Sequence, residues 1–227
     1  VAMNLGPVVE RICAVRQETA PSRCVLAALT GIDGSGKGYV AARLVEALQA
    51  GGLRAAAHNI DGWLNLPGER FDPANPAEHF YHHALRFDDM FRELVLPVRD
   101  QRSRRVEADF AEETATAFRR HVYEYTDVDV LVLEGIYLLK RAFVRHYDLS
   151  VWIDCTFETA LERAIARGQE GLAAEETVRA YRTIYFPAQE IHFERDQPRE
   201  TANLILNNDS SQPTKSSKVT AAAIRRS

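Results

Sequence analysis

Gly31, Gly36 and Lys37 stand in the pattern G-x-x-x-x-G-K, within Gly31-Ile32-Asp33-Gly34-Ser35-Gly36-Lys37-Gly38. Glycines let successive backbone N–H groups turn inward on an anion, and a helix starting there presents its positive end to it. Lys37 adds a mobile charge for outer phosphates. The spacing points to a nucleotide phosphate, with Gly31, Asp33, Gly34, Ser35, Gly36, Lys37, Gly38 and Tyr39 as the binding set. A Ser or Thr usually follows the lysine and touches magnesium; here Gly38 does, and Tyr39 lacks the same reach. Asp61 is a second candidate, ending an apolar run in Asp61-Gly62-Trp63. Arg99, Arg102, Arg104 and Arg105 cluster, either to grip an anionic substrate or as a solvated turn. His79 and His83 have the i, i+4 spacing of metal ligands without a carboxylate motif, and read as a solvated face rather than a zinc site.

The elements that must hold these groups follow from periodicity. Residues 6–19 read as an amphipathic helix with Val8, Val9, Ile12 and Val15 on one side. An apolar strand over about 24–31 feeds the Gly-rich loop, and Val40, Leu44 and Leu48 mark the helix after it, closed by Gly51-Gly52. A second strand over about 54–61 delivers Asp61 to the strand ends where ligands bind in open α/β sheets. Pro67, Gly68, Pro73 and Pro76 mark a loop over 64–76, long enough to expect a function. A helix is predicted over 77–98. Two short hairpin strands, Val106–Phe110 and Ala115–Phe118, are predicted around Glu112-Glu113. Further strands fall at about 128–134, 149–154 and 202–207. A helix over 157–167 has Thr156 as its N-cap, and a helical region over 174–196 is kinked at Pro187. Alternating strands and helices imply an α/β fold, a mainly parallel five-stranded sheet with helices on both faces; with the Gly-rich loop after its first strand it resembles a three-layer sandwich of the P-loop NTPase type.

Composition narrows the partners. The chain has 227 residues and a formal net charge of -4, which argues against a general nucleic-acid binder. Cys13, Cys24 and Cys155 form neither a disulfide framework nor a zinc spacing, so a cytoplasmic location is expected. No apolar run reaches membrane-spanning length, so no membrane partner is expected.

With these residues placed, the chain resembles the uridine kinase and phosphoribulokinase group of P-loop kinases over roughly 24–207. The family's Gly-rich loop is matched by residues 31–37. Its strand-end aspartate with an aromatic two residues on is matched by Asp61 and Trp63. Its V-x-E-G-I strand end is matched by Val132, Glu134, Gly135 and Ile136. Its lid arginines on an R-x-x-x-R spacing are matched by Arg163 and Arg167. The resemblance implies a single P-loop kinase domain over 1–208, with an acceptor-binding insertion at about 62–127 and a lid at about 163–173. A disordered tail is expected over 209–227. It implies ATP and Mg2+ as cofactors and a small-molecule hydroxyl acceptor, a nucleoside such as uridine or cytidine first. Asp61 becomes the general base; Lys37, Arg167 and then Arg163 the cations on the transferring group; Glu134 and Asp33 the magnesium ligands. A homo-oligomer is compatible with it.

Two departures keep alternatives open. Gly38 questions direct metal ligation by the loop, and leaves a non-catalytic nucleotide-binding regulator in play. The aromatic and histidine pattern that grips the base in uridine kinases is not evident over 106–118. A sugar or sugar-phosphate kinase therefore remains an alternative, as does a nucleotide kinase resembling thymidylate kinase, although the aspartate-arginine-aromatic motif of the latter is missing.

Overall fold

The computed structural model describes residues 3–168 and 171–209; residues 210–227 of the expected tail and part of the expected lid lie outside them. Seven strands form among the described residues: β1 (Val25–Gly31), β2 (Ala55–Asn59), β3 (Arg104–Phe110), β4 (Arg119–Tyr125), β5 (Val130–Gly135), β6 (Leu149–Asp154) and β7 (Leu204–Asn207). Five of them make one sheet in the order β2-β5-β1-β6-β7, every pairing parallel. β1 and β5 are buried along their whole lengths, as strands covered on both faces must be. Side chains alternate between two cores. Val25, Ala27 and Leu29 meet Val40, Leu44 and Leu48 of α2 (Lys37–Ala50), and Val8 and Ile12 of α1 (Gly6–Glu18) complete that layer. Leu26 and Ala28 face the other way, onto a larger core that includes Trp63, Phe87, Leu94 and Tyr123.

The five-stranded parallel sheet and the amphipathic leader helix agree with expectation, and the helix Phe157–Arg167 begins where predicted, with the Thr156 hydroxyl accepting from Thr159 N at 3.3 Å. Three stretches differ. The predicted helix over 77–98 is divided into Pro76–His83, Phe87–Met90, a π-helical turn Phe91–Val95 and Leu96–Gln101. Its break falls where Leu85 bridges to Leu64, so backbone pairing outcompetes the helical bonds there. The hairpin pairs 104–110 with 119–125, not with 115–118, so the loop between the strands is longer than predicted and carries Glu113. The kink at Pro187 takes the form of a π-helical turn, Tyr181–Tyr185, just before Phe186-Pro187. The other π turn likewise precedes Leu96-Pro97. Proline has no N–H for the carbonyl four residues back and its ring crowds that oxygen, so the turn widens. At Pro97 the Arg104 side chain supplies the missing donor, Nε to Glu93 O at 3.1 Å.

No helix of the described residues is long and apolar enough to cross a membrane.

Candidate active site

Strand register brings the chemistry to one edge. Leu29 and Asn59 both lie opposite Glu134, and Gly31 lies opposite Ile153. The loop after β1, the turn after β2 and the end of β5 therefore meet at the carboxyl edge of the sheet.

Backbone space shapes the loop. Gly34 and Gly36 hold φ of 77° and 86°. A Cβ on Gly34 would stand 2.4 Å from Ala160 O, so only glycine lets the loop lie this close to the helix 157–167. Gly36 caps α2, whose first free N–H groups face the cleft. Lys37 is nearly buried, and its Nζ donates to Ile32 O at 2.9 Å. Asp33 accepts from Gly34 N at 2.8 Å and from the Tyr181 hydroxyl, with Arg167 Nη2 at 3.6 Å.

Asp61 sits on a short 3-10 turn, Ile60–Gly62, rather than on the strand itself; Asn59 caps the turn by accepting from Asp61 N at 2.6 Å. Behind the turn, Trp63 Nε1 donates to His58 Nε2 at 3.1 Å, and His58 Nδ1 lies 2.8 Å from the Tyr125 hydroxyl. An Nε2 that accepts requires the proton on Nδ1. Burial pushes the His58 pKa down to about 4, so the ring stays neutral and ties the Asp61 turn to the hairpin. Gly62 fits beneath that hairpin because a Cβ would meet Phe110 and the Tyr123 hydroxyl at 2.7 Å.

A cleft of about 530 Å³ opens here, lined by Lys37, Asp61 and Glu134 together with Asp33 and Arg167. Burial raises the Asp61 pKa to about 6; Lys37 opposes the shift, and Asp33 and Glu113 add to it. Burial likewise raises Glu134 to about 7, against the pull of Lys37. Asp33 goes the other way: burial is outweighed by Lys37, Arg167 and the Tyr181 hydroxyl, which hold it below the usual carboxylate range. The cleft thus separates an ionised acid beside the loop from two acids that hold protons more tightly.

Mg2+ is commonly held by one or two carboxylates plus phosphate oxygens. Glu134 and Asp33 line the cleft, and bare Gly38 leaves space against Glu134, whose Oε1 lies 3.6 Å from where a Cβ would stand. That donor set fits the ion. Among the described residues no group of three or more His, Cys, Asp or Glu side chains could hold a metal without outside ligands.

Other candidates lie elsewhere. Arg163 lies outside the cleft wall and braces the loop, its Nη1 donating to Ser35 O at 3.4 Å and its Nη2 to Asn208 O at 2.8 Å. The cluster at 99–105 does not line the cleft: Arg102 pairs with Asp129 at 2.6 Å, Arg99 with Asp100 at 2.7 Å and Arg105 with Glu124 at 3.6 Å, while Arg104 is used at Glu93. His79 lies 2.8 Å from Glu69 O through Nε2, and its ring sits 4.4 Å from that of His83. Sequence reasoning missed Arg70, Glu113, Tyr137 and Gln189, which complete the cleft wall. No local pattern marks them, since two helices, a hairpin loop and the bend after β5 deliver them from distant parts of the chain.

A sequence profile of the phosphoribulokinase/uridine kinase family matches residues 26–171. No curated protein sequence matches the chain. Among solved structures, a "possible uridine kinase" from Bacillus stearothermophilus superposes with a TM-score of 0.68 at 16% identity, covering 89% of this chain and 99% of the other. D-glycerate 3-kinase from Cryptococcus neoformans gives 0.61 at 12% identity, covering 89% and 95%. Phosphoribulokinase from Rhodobacter spheroides gives 0.56 at 12% identity, covering 83% and 71%. At such identities these likenesses speak for the fold alone; the family profile, which spans more than half of the chain, carries the assignment. The chain belongs to the phosphoribulokinase/uridine kinase family of P-loop kinases.

Proposed function

We propose that this protein transfers the γ-phosphoryl group of ATP to a hydroxyl of a small molecule. The observation that carries the reading is the meeting of Lys37, Asp61 and Glu134 in one cleft at the mouth of the Gly-rich loop. The loop N–H groups and Lys37 hold the outer phosphates. Asp61 orients the acceptor hydroxyl and takes its proton as the new O–P bond forms and the bond to the departing diphosphate breaks. Its pKa of about 6 leaves it ionised at neutral pH yet basic enough to receive that proton. Arg167 stands beside Asp33, where it can turn to the transferring group. Glu134 and Asp33 are the side chains that would hold magnesium, which when bound neutralises charge on the phosphate oxygens.

Two acceptor types suit this reading. A nucleoside such as uridine or cytidine would find an apolar wall in Phe71, Phe80 and Tyr185. A sugar or hydroxy acid bearing an anion would find a cation in Arg70, and one structural neighbour is a glycerate kinase. The test is magnesium-dependent ATP consumption across nucleosides, sugars, sugar phosphates, hydroxy acids and nucleotides. Turnover with one acceptor class is the expected result. ATP binding without turnover on any acceptor would overturn the reading in favour of a nucleotide-binding regulator.

A further inference from the structure

Arg70 ends the short helix Pro67–Arg70, is only 3% exposed, and lines the cleft. Among the described residues its side chain makes one hydrogen bond, from Nη2 to the Glu113 backbone oxygen at 2.6 Å. Its Nε is buried without a partner, and no described carboxylate lies within ion-pair distance. Guanidinium keeps its charge in proteins. A charge out of water, with a neutral carbonyl as its described hydrogen-bond acceptor and the Phe71 ring 5.3 Å away, is costly unless something anionic meets it. Two more polar side chains on the same cleft are in a similar state. Gln189 is 1% exposed with Oε1 unpartnered, and Tyr137 is 1% exposed with its hydroxyl unpartnered. Buried polar groups are satisfied in folded proteins, so three such side chains on one cleft wall mark where a polar ligand would be met by side chains turning toward it.

Resting on the hydroxyl-kinase reading, we propose that the acceptor carries an anionic group, carboxylate or phosphate, that pairs with Arg70, while Gln189 and Tyr137 take its remaining polar groups. A neutral nucleoside would leave the guanidinium buried and unpaired. Glu113 also lines the cleft and acts on the Arg70 charge, which favours a singly charged carboxylate over a phosphate dianion there. The acceptor expected first is therefore a small hydroxy acid, with its hydroxyl presented to Asp61 and its carboxylate to Arg70.

The test is calorimetric binding to the full chain, with Mg2+ and a non-hydrolysable ATP analogue saturating the cations of the donor half. The ligands are hydroxy acids, sugar phosphates, neutral sugars and nucleosides, each hydroxy acid paired with its uncharged amide. Hydroxy acids should bind, with each amide roughly 10- to 100-fold weaker, the range for losing a charged hydrogen bond. R70Q should weaken the acid by a similar factor and R70K by less, with affinity for the ATP analogue unchanged in both. The acid–amide comparison needs no variant, so misfolding of R70Q leaves the test intact. Tighter binding of sugar phosphates than of hydroxy acids would keep the anion and change its source. Binding by no anionic compound, or amides binding as well as acids, overturns the inference. Phosphorylation of a neutral nucleoside with Arg70 irrelevant would sink the anion and leave the kinase standing. Arg70-dependent binding of an acid that is never phosphorylated would do the reverse.

Discussion

Glu134 is expected to cost the folded protein stability, and E134Q should recover it. Glu134 ends β5, is 5% exposed, and is flanked by β1 and β2. Burial, with Asp61 and Asp33 nearby, raises its pKa from 4.5 to about 7, and the attraction of Lys37 is already counted in that result. A folded pKa above the unfolded one means that the folded chain holds an extra proton between those values. Stability is then fully present below pH 4.5 and is lost as pH rises through about 7. At about 1.36 kcal/mol per tenfold change in proton affinity, ionising Glu134 in place costs roughly 3 kcal/mol by pH 8. Glutamine keeps the shape and carries no charge at any pH. In nucleotide-free, chelated buffer, urea unfolding should show E134Q ahead of the parent by about 1–3 kcal/mol at pH 8, shrinking below about 1 kcal/mol at pH 5. Magnesium with ATP should stabilise the parent more than the variant, because the variant keeps Asp33 but loses the Glu134 carboxylate as a partner for the ion. An E134Q that is less stable at pH 8, or an advantage that does not change with pH, would refute the account of Glu134 as an acid whose ionisation is opposed by burial.

D61N should lower kcat by about 10²- to 10⁴-fold with ATP affinity intact, since only the proton acceptor is lost. In the parent, kcat/KM should fall as pH drops through about 6, where Asp61 takes up its proton; a flat profile from pH 5 to 8 would remove Asp61 as the base. G38T should be accommodated, because the new Cβ stands 3.6 Å from Glu134 Oε1, and should tighten magnesium in a titration of nucleotide binding. Unchanged magnesium dependence would show the ion is held by other groups. G135A should destabilise the fold by about 1–3 kcal/mol, because its Cβ would meet Ile60 side-chain carbons at 2.2 Å. Ile60 precedes Asp61, so turnover should fall as well. An unaltered melting temperature would contradict the packing described here.

Much of the sheet was legible because a strand buried on both faces needs a continuous apolar run, and residues 24–31, 128–134 and 149–154 supply one each. The loop was legible because its glycines and lysine act through their immediate neighbours. Legibility stopped where distant segments compete. The helix predicted over 77–98 has the right apolar stripe, yet Leu85 leaves it to pair with Leu64, and Pro97 opens a π turn. The hairpin partner was misplaced because 115–118 and 119–125 both offer β-prone residues, and it is the second that packs Tyr123 against Trp63 and brings Tyr125 to His58. Arg99, Arg102, Arg104 and Arg105 illustrate the same limit: a charge cluster in sequence says nothing of which carboxylates will face it.

The sequence by itself determined the Gly-rich loop, and put Glu134 at a strand end and Asp61 just beyond one, because local backbone geometry and apolar periodicity dictate both. Tertiary structure alone decided the rest of the cleft wall. Arg70, Glu113, Tyr137 and Gln189 come from four separated segments, and long-range packing of helices and hairpin over the sheet edge is what brings them to one cavity. It also decided which arginine serves which end, sending Arg163 behind the loop, Arg167 to Asp33 and Arg70 into the cleft, a choice set by where each backbone segment lies and not by residue type.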